Sequence, residues 1–356
     1  MAYDPFARGS LPVGVRTFQW TDPARRDRAL TVETWYPATD AHRGQDLAAA
    51  TRDHYELIPG FPPGWQEAVR DAAPRAGCFP LVVFSHGFGA HRRQSTFLCT
   101  HLASHGYVVA AMDHTGNTIV ETVQIMMAAQ MGMAPPPDPV AILAEIIPAR
   151  PVDVSFVIDR LLAGAAAGLP GIDAERIGMS GHSFGGWTTL MVVARDRRVR
   201  AALPLAPAGG WSPLPSQPLG EALDFAWGRD VPTLFLVADS DTILPLHGMY
   251  DLLARTRSTK RMVVLRNTDH MHFCDRAAQA HEMFRAFPPP GFFEDAARTT
   301  APFTELSPET PAYDAIRALG LAHLDAALKE HAPAAAFMRG DLPARLGARG
   351  IEVVVH

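Results

Sequence analysis

Residues 13–20 and 30–36 alternate apolar and polar positions on either side of Thr21-Asp22-Pro23. A period of two interrupted by turn residues predicts an antiparallel hairpin, here at the edge of a sheet. Beyond it the pattern changes to short unbroken apolar runs at residues 81–85, 107–112, 177–180, 199–205, 233–238 and 262–265, with helical periodicity near 94–104 and 152–162. Unbroken runs suit strands buried on both faces, and their alternation with helices predicts an α/β fold with a mostly parallel sheet flanked by helices. Arg150-Pro151-Val152-Asp153 reads as a helix start, because proline is tolerated in a first turn and an acid is favoured at the positive end of the dipole. Residues 312–331 read as a closing amphipathic helix. No internal repeat or low-complexity linker interrupts the chain, which predicts one elaborated domain over residues 1–356.

Two segments exceed what such a fold requires. Residues 113–150 form a crossover far longer than a connection needs, with four methionines in 119–133 followed by Pro135-Pro136-Pro137. Its apolar residues, Met126 and Met127 among them, fit either an adaptable lid lining a pocket or an ordinary helix packed on the core. Residues 287–311, opened by Phe287-Pro288-Pro289-Pro290-Gly291, form a second possible cap segment.

Composition removes several classes of function. With 47% hydrophobic and 19% charged residues in a length of 356, the chain can bury a large core. A net charge of −5 with the two signs interspersed provides no basic face for nucleic acid. The apolar stretches are too short to span a membrane. Residues 1–12 lack a basic leader with an apolar core, which predicts a cytoplasmic chain, or a secreted one whose leader has been removed. The three cysteines, Cys78, Cys99 and Cys274, have no close spacing, so reduced thiols are expected, with a Cys78–Cys274 bridge open only to a secreted form. No metal-ligand spacing stands out, and neither a metal nor an organic cofactor is expected.

Candidate chemistry centres on Gly181-His182-Ser183-Phe184-Gly185-Gly186. The serine falls between a buried strand signal and a helical one, on a sharp turn that requires small residues two positions to either side, met by Gly181 and Gly185. Such a turn exposes the hydroxyl over a helix N-terminus, but an unaided serine is a poor nucleophile and needs a histidine and a carboxylate. Asp239 and Asp241 both follow the strand signal at 233–238, and His270 and His272 both follow the one at 262–265, in the chain order serine, acid, histidine. An oxyanion would need two backbone N–H groups. His86-Gly87-Phe88-Gly89-Ala90 opens after the strand at 79–85, which assigns one donor to Phe88 and the other to Phe184, directly after the serine. Trp187 and Trp211, with Met126 and Met127, would make the pocket apolar. Asp113 and His114 follow a different strand and read as a structural or pocket-rim network.

Taken together, residues 83–88, 176–186, Asp241-Thr242-Ile243-Leu244-Pro245 and His270 make the chain similar to the α/β-hydrolase superfamily. Within it the chain resembles dienelactone-hydrolase-like serine esterases, the group of platelet-activating factor acetylhydrolase and the cutinase-like polyester hydrolases. The resemblance covers residues 79–273, and more loosely 3–9. It implies an acid in a D-x-x-x-P loop, which Asp241 matches and Asp239 does not, and a base in an x-G-H-x-x-F segment, which selects His270. Asp269 stands where that segment has glycine. Dienelactone hydrolases proper carry a cysteine nucleophile where this chain has Ser183, so lactone specificity is not implied. The expected activity is carboxylic ester hydrolysis through an acyl-enzyme, on small to medium apolar acyl esters and extending to polyesters. An acyltransferase with the same triad, a perhydrolase and a non-catalytic ligand-binding protein are the alternatives, separable by competing alcohols, peracid formation and fluorophosphonate labelling.

Overall fold

The computed structural model describes residues 3–57, 63–135, 138–212, 217–288 and 292–356. The chain forms two compact units, Gly9–Ala174 and a second made of Met1–Arg8 with Glu175–His356.

In the first unit the hairpin forms as the alternation predicts. Strands β1 (Val13–Asp22) and β2 (Arg28–Pro37) pair antiparallel, from Val13 opposite Pro37 to Asp22 opposite Arg28. Asp22 caps the intervening 3-10 turn by accepting from the Ala24 N–H at 3.1 Å, and Arg26 and Asp27 take left-handed φ values of 53° and 54° to reverse the chain. Strands β3 (Asp53–Tyr55) and β4 (Gly64–Gln66) pair only with each other. β5 (Val69–Arg70) runs parallel to β1, so this short strand, and not the hairpin, is the outermost. β6 (Cys78–Ser85) and β7 (Val108–Met112) are parallel to each other, and β7 is antiparallel to β2, giving the order β6-β7-β2-β1-β5. Helix α1 (Thr96–Ser104) is buried along its whole length.

The long crossover holds α2 (Ile119–Gln130), opened by a Thr118–Glu121 capping box, and α3 (Pro139–Leu162). No residue of α2 is fully buried, and Val120, Ile125 and Met127 are exposed, which is inconsistent with an ordinary core helix. The start expected at Arg150 is also corrected. α3 begins at Pro139, capped by the Asp138 carboxylate, and runs through Pro148 and Pro151. A proline removes one backbone donor and crowds the preceding turn, which disfavours but does not forbid helix around it. The apolar period in residues 140–147 carries the helix into that region from its N-terminal side.

The second unit contains β8 (Gly171–His182) from Glu175 onward, α4 (Phe184–Arg195), β9 (Val199–Leu205), α5 (Gln217–Ala222), β10 (Thr233–Ala238), α6 (Leu246–Arg255) and β11 (Lys260–Leu265). Then follow α7 (Ala277–Ala286), α8 (Phe292–Thr299), α9 (Glu309–Leu328), α10 (Ala332–Arg339), α11 (Leu342–Gly347) and β12 (Val353–Val355). β8, β9, β10 and β11 are parallel neighbours, and β12 closes the sheet antiparallel to β11. α4 and α9 pack on β9, and α6 packs on β10 and β11. α9 is less amphipathic than its sequence suggests, being buried at most positions between Ala312 and Leu328, and the chain closes on β12 rather than on this helix. The Pro288-Pro289-Pro290-Gly291 part of the second cap segment lies partly outside the described residues. None of the three cysteines is in a disulfide. Among the described residues no helix is long and apolar enough to cross a membrane.

One charge cluster ties the first unit together. Glu33 of β2 is fully buried and accepts from Arg70 at 2.8 Å, Arg93 at 3.0 Å and Thr17 at 2.7 Å, with Arg92 at 3.4 Å. Burial alone would raise its pKa, but the charges of Arg93, Arg70 and Arg92 outweigh it and hold the carboxyl near about 2, below its ordinary 4.5. A folded-state pKa below the unfolded one contributes stability that is present above about pH 4.5 and is lost as the pH falls toward about 2. Glu33→Gln leaves the arginines without their counter-charge and is expected to lower stability at neutral pH by roughly 3–5 kcal/mol, measured by denaturant unfolding. The deficit relative to the native sequence should narrow across that acid window, and a deficit independent of pH would contradict the ion-pair account.

Candidate active site

Ser183 lies where β8 turns into α4, at φ 59° and ψ −117°, a region that residues with a Cβ rarely occupy. Its backbone is fully bonded in that conformation. The Ser183 N–H donates to Leu205 O of β9 at 2.9 Å, and its carbonyl accepts from the N–H groups of Trp187 and Ala208, both at 3.0 Å. The turn is also compressed at Gly186, where a Cβ would come within 2.8 Å of Pro207 Cα. The spacing around the serine points to Gly181 and Gly185; the tighter constraint falls on Gly186, the second of the doubled glycines. Ser183 is the N-cap of α4 but makes no side-chain capping hydrogen bond, so its hydroxyl is not engaged by the helix. Phe184 is the first residue of α4, where an N–H has no intrahelical acceptor.

The two acids and two histidines have different surroundings. Asp241 is buried just past β10. Its Oδ1 accepts from the Ile243 and Leu244 N–H groups at 2.9 and 2.7 Å, and its Oδ2 lies 2.7 Å from His270 Nδ1. Asp239 instead pairs with Arg266 at 3.1 Å and accepts from the Ser240 hydroxyl. His272 is wholly buried, with Nδ1 2.7 Å from Asp269 Oδ1 and Nε2 donating to Ser307 O at 2.9 Å, so both ring nitrogens are engaged. No hydrogen bond joins His270 to Ser183 among the described residues, a contact that commonly tightens only around substrate.

The His182 ring is tilted against that of His270, with centroids 4.4 Å apart, and stacks on Phe273. Burial, together with the neighbouring His270, holds the His182 pKa well below the usual histidine range. The ring beside His270 is therefore held in its neutral form. Trp187, expected in the pocket wall, is completely buried and donates from Nε1 to Leu219 O at 2.8 Å, which makes it a core residue of α4. Trp211 is 56% exposed, with its ring 3.9 Å from that of His247.

Phe88, Met126 and Met127 belong to the first unit, where Phe88 and Met127 are exposed and Met126 is half-buried. The loop that carries Phe88 is braced from within that unit. The buried Arg150 guanidinium donates to His86 O at 2.6 Å and Gly87 O at 3.0 Å, and the Gly87 N–H donates to Gln94 at 2.7 Å. The same unit contains a hydrogen-bonded serine–histidine–aspartate chain: the Ser85 hydroxyl lies 2.9 Å from His114 Nε2, whose Nδ1 lies 2.9 Å from Asp153. All three residues are fully buried, and Asp153 is also held by Arg25 and Arg28. Burial, and then the charge of Arg150, push His114 down to about 4. It is an internal network without solvent access, as the sequence suggested for His114, though Asp113 pairs elsewhere, with Arg92. The partners Ser85 and Asp153 carry no motif that would have revealed them.

The profile of the platelet-activating factor acetylhydrolase isoform II family matches residues 16–136, and that of the PET hydrolase-like family matches residues 166–286. A platelet-activating factor acetylhydrolase from Canis lupus familiaris is 26% identical over 243 residues, covering 60% of this chain and 51% of that protein. A bis(hydroxyethyl) terephthalate hydrolase from Streptomyces coelicolor is 30% identical over 208 residues, covering 58% and 54%. Cutinase est1 from Thermobifida alba is 30% identical over 171 residues, covering 47% and 44%. The chain thus spans about half the length of these relatives. A ferulic acid esterase structure from Streptomyces cinnamoneus superposes with a TM-score of 0.65 over 97% of this chain and 96% of that one, at 24% identity, a likeness of fold. The strand order within each unit and the structural likeness give the chain an α/β-hydrolase fold, and residues 16–136 and 166–286 are similar to the platelet-activating factor acetylhydrolase and PET hydrolase-like families respectively.

Proposed function

We propose that this chain is a serine carboxylic ester hydrolase, with Ser183 as nucleophile, His270 as general base and Asp241 as the carboxylate that orients the base. The observation that carries the reading is the 2.7 Å contact between Asp241 and His270 Nδ1, made by a carboxylate whose other oxygen is fixed by two backbone amides. A carboxylate held in this way keeps the imidazole proton on Nδ1 and leaves the Nε2 lone pair to accept the Ser183 proton. The serine oxygen then attacks the ester carbonyl, and the Phe184 N–H at the start of α4 stabilises the oxyanion. One such donor contributes about 3–4 kcal/mol to the transition state. The His270 imidazolium returns its proton to the departing alkoxide. Water, deprotonated by the same nitrogen, then releases the acid and restores Ser183. Asp239 and His272 suit these roles poorly, since their polar atoms are engaged elsewhere.

The substrate class in this reading is a small to medium apolar acyl ester, extending to polyesters. Its support is the hydrolase names of the relatives and the exposed Trp211 indole, a flat apolar surface in the same unit as the three residues. Turnover of p-nitrophenyl esters of increasing acyl length should peak at short to medium chains, and a steady rise toward long chains would contradict this assignment.

Steady-state kinetics of four variants test the roles. Ser183→Ala should lose on the order of 10³-fold or more in kcat, and His270→Ala a comparable amount. His272→Ala should cost far less activity than His270→Ala, although it removes a buried bond. Ser85→Ala should keep kcat within a few-fold of the native value. If Ser183→Ala retained native turnover the reading would fail, and an inactive, folded Ser85→Ala would move the nucleophile to the other serine.

A further inference from the structure

Asp269, which replaces the glycine of the base segment, is buried and uses both of its oxygens. Oδ1 accepts from the Met271 N–H at 3.1 Å and lies 2.7 Å from His272 Nδ1, which itself accepts from the Asp269 N–H at 3.0 Å, and Oδ2 lies 2.5 Å from His281 Nδ1 on α7, which faces no donor among the described residues. The two histidines extend to a third segment: His272 Nε2 donates to Ser307 O at 2.9 Å and His281 Nε2 to Ala301 O at 2.8 Å. The Phe303 ring stacks on His272 and meets His281 edge-on. A single buried carboxylate, one peptide bond from His270, therefore joins the turn His270–Phe273, α7 and residues 301–307.

The hydrogen-bond pattern fixes the charge on His281. Both of its ring nitrogens face oxygens that can only accept, a carboxylate and a backbone carbonyl, so both carry hydrogen and the ring is an imidazolium. The charged and titratable groups around it are Asp269 and His272 from the turn and Glu282 of α7, whose Oε1 is 3.9 Å from Nε2. Residues 301–307 present it with a carbonyl and the Phe303 ring. Burial would lower the His281 pKa, but the hydrogen bond and charge of Asp269 raise it overall. Burial would raise that of Asp269, but the bonds from His272 and His281 hold it well below the usual carboxylate range.

We propose that Asp269 and His281 form a buried ion pair that positions His270, setting the turn that carries the base so that its ring stays aligned on Asp241 and open to Ser183. The inference rests on the assignment of His270 as the base. In this account the aspartate replaces the flexibility of glycine with a three-way anchor, and Asp269 and His281 touch no substrate atom. A raised folded-state pKa means that the pair is present at lower pH and is lost as the pH rises through it, so catalysis should decline on the alkaline side as His281 deprotonates.

Asp269→Asn, Asp269→Gly and His281→Gln test this, with thermal melts to confirm folding and p-nitrophenyl butyrate as substrate. Asp269→Asn and His281→Gln should each lower kcat by about ten- to a hundredfold with KM nearly unchanged, the size expected when a reacting group is displaced by an ångström or less. His281→Gln cannot titrate and should lose the alkaline decline of the native profile. Asp269→Gly should fall with them, and native turnover in that variant would overturn the proposal. In the native protein, ¹⁵N NMR of the His281 ring at neutral pH should show both nitrogens protonated. A ring with one bare nitrogen would also overturn the proposal, even if every variant failed to fold. An inactive Ser183→Ala beside fully active Asp269→Asn and His281→Gln would sink this inference alone, whereas a fully active Ser183→Ala would remove the assignment beneath it.

Discussion

The second unit depends on one residue held in a conformation that L-amino acids avoid. Ser183 at φ 59° and ψ −117° stores roughly 1–3 kcal/mol of backbone strain, which persists only where the surroundings over-determine it. Here the N–H is tied to β9, the carbonyl both starts α4 and accepts from Ala208, and Gly186 lets the helix approach Pro207. Trp187, in the first turn of α4, is completely buried and bonded to Leu219 O, which anchors the helix. A serine bound this firmly through its backbone has a hydroxyl that neither caps the helix nor joins the strand ladder. The strain is local, and the packing that offsets it extends through β9, α4 and the loop after β9.

Two sets of serine, histidine and aspartate can be compared among the described residues, one linked throughout and one proposed as catalytic, and they show why contact distances alone do not identify a catalyst. Ser85, His114 and Asp153 form the completely linked set, with both contacts at 2.9 Å. Yet all three are sealed from solvent, and Asp153 is shared among two arginines and a histidine, so that set works as an internal brace. In the other arrangement the Asp241 contact to His270 is made, while the Ser183 hydroxyl is held outside the helix cap on a half-buried turn. The charge around His270 is arranged as well: a neutral His182 lies against one side, and a buried aspartate binds the chain next to it.

Much of this was legible in the sequence because it is written in short-range patterns. The period-two hairpin, the apolar runs of β6 to β11 and the small residues around Ser183 each sit within a few residues of one another, and the roles proposed for Asp241 and His270 follow from local spacing within a resembled family. What was not legible depends on distant partners. Trp187 looks like a pocket aromatic until Leu219 is found against its indole nitrogen. Asp153 looks like a helix-start acid, yet α3 began well before it and its carboxylate meets Arg25, Arg28 and His114. β12 is a three-residue strand whose only signal is Val353-Val354-Val355, and it forms because β11 offers an open edge. The link from Asp269 through His281 to Ala301 spans three segments, and no local motif encodes it.

In the proposed reaction Ser183 carries the acyl group. The most direct measurement is intact-protein and peptide mass spectrometry after rapid acid quench of the chain with a p-nitrophenyl ester. The account predicts a transient adduct of one acyl group on the peptide containing Ser183, formed in step with a burst of p-nitrophenol and absent from Ser183→Ala. Steady ester hydrolysis with the adduct on any other residue, or with none formed and turnover intact in Ser183→Ala, would contradict it.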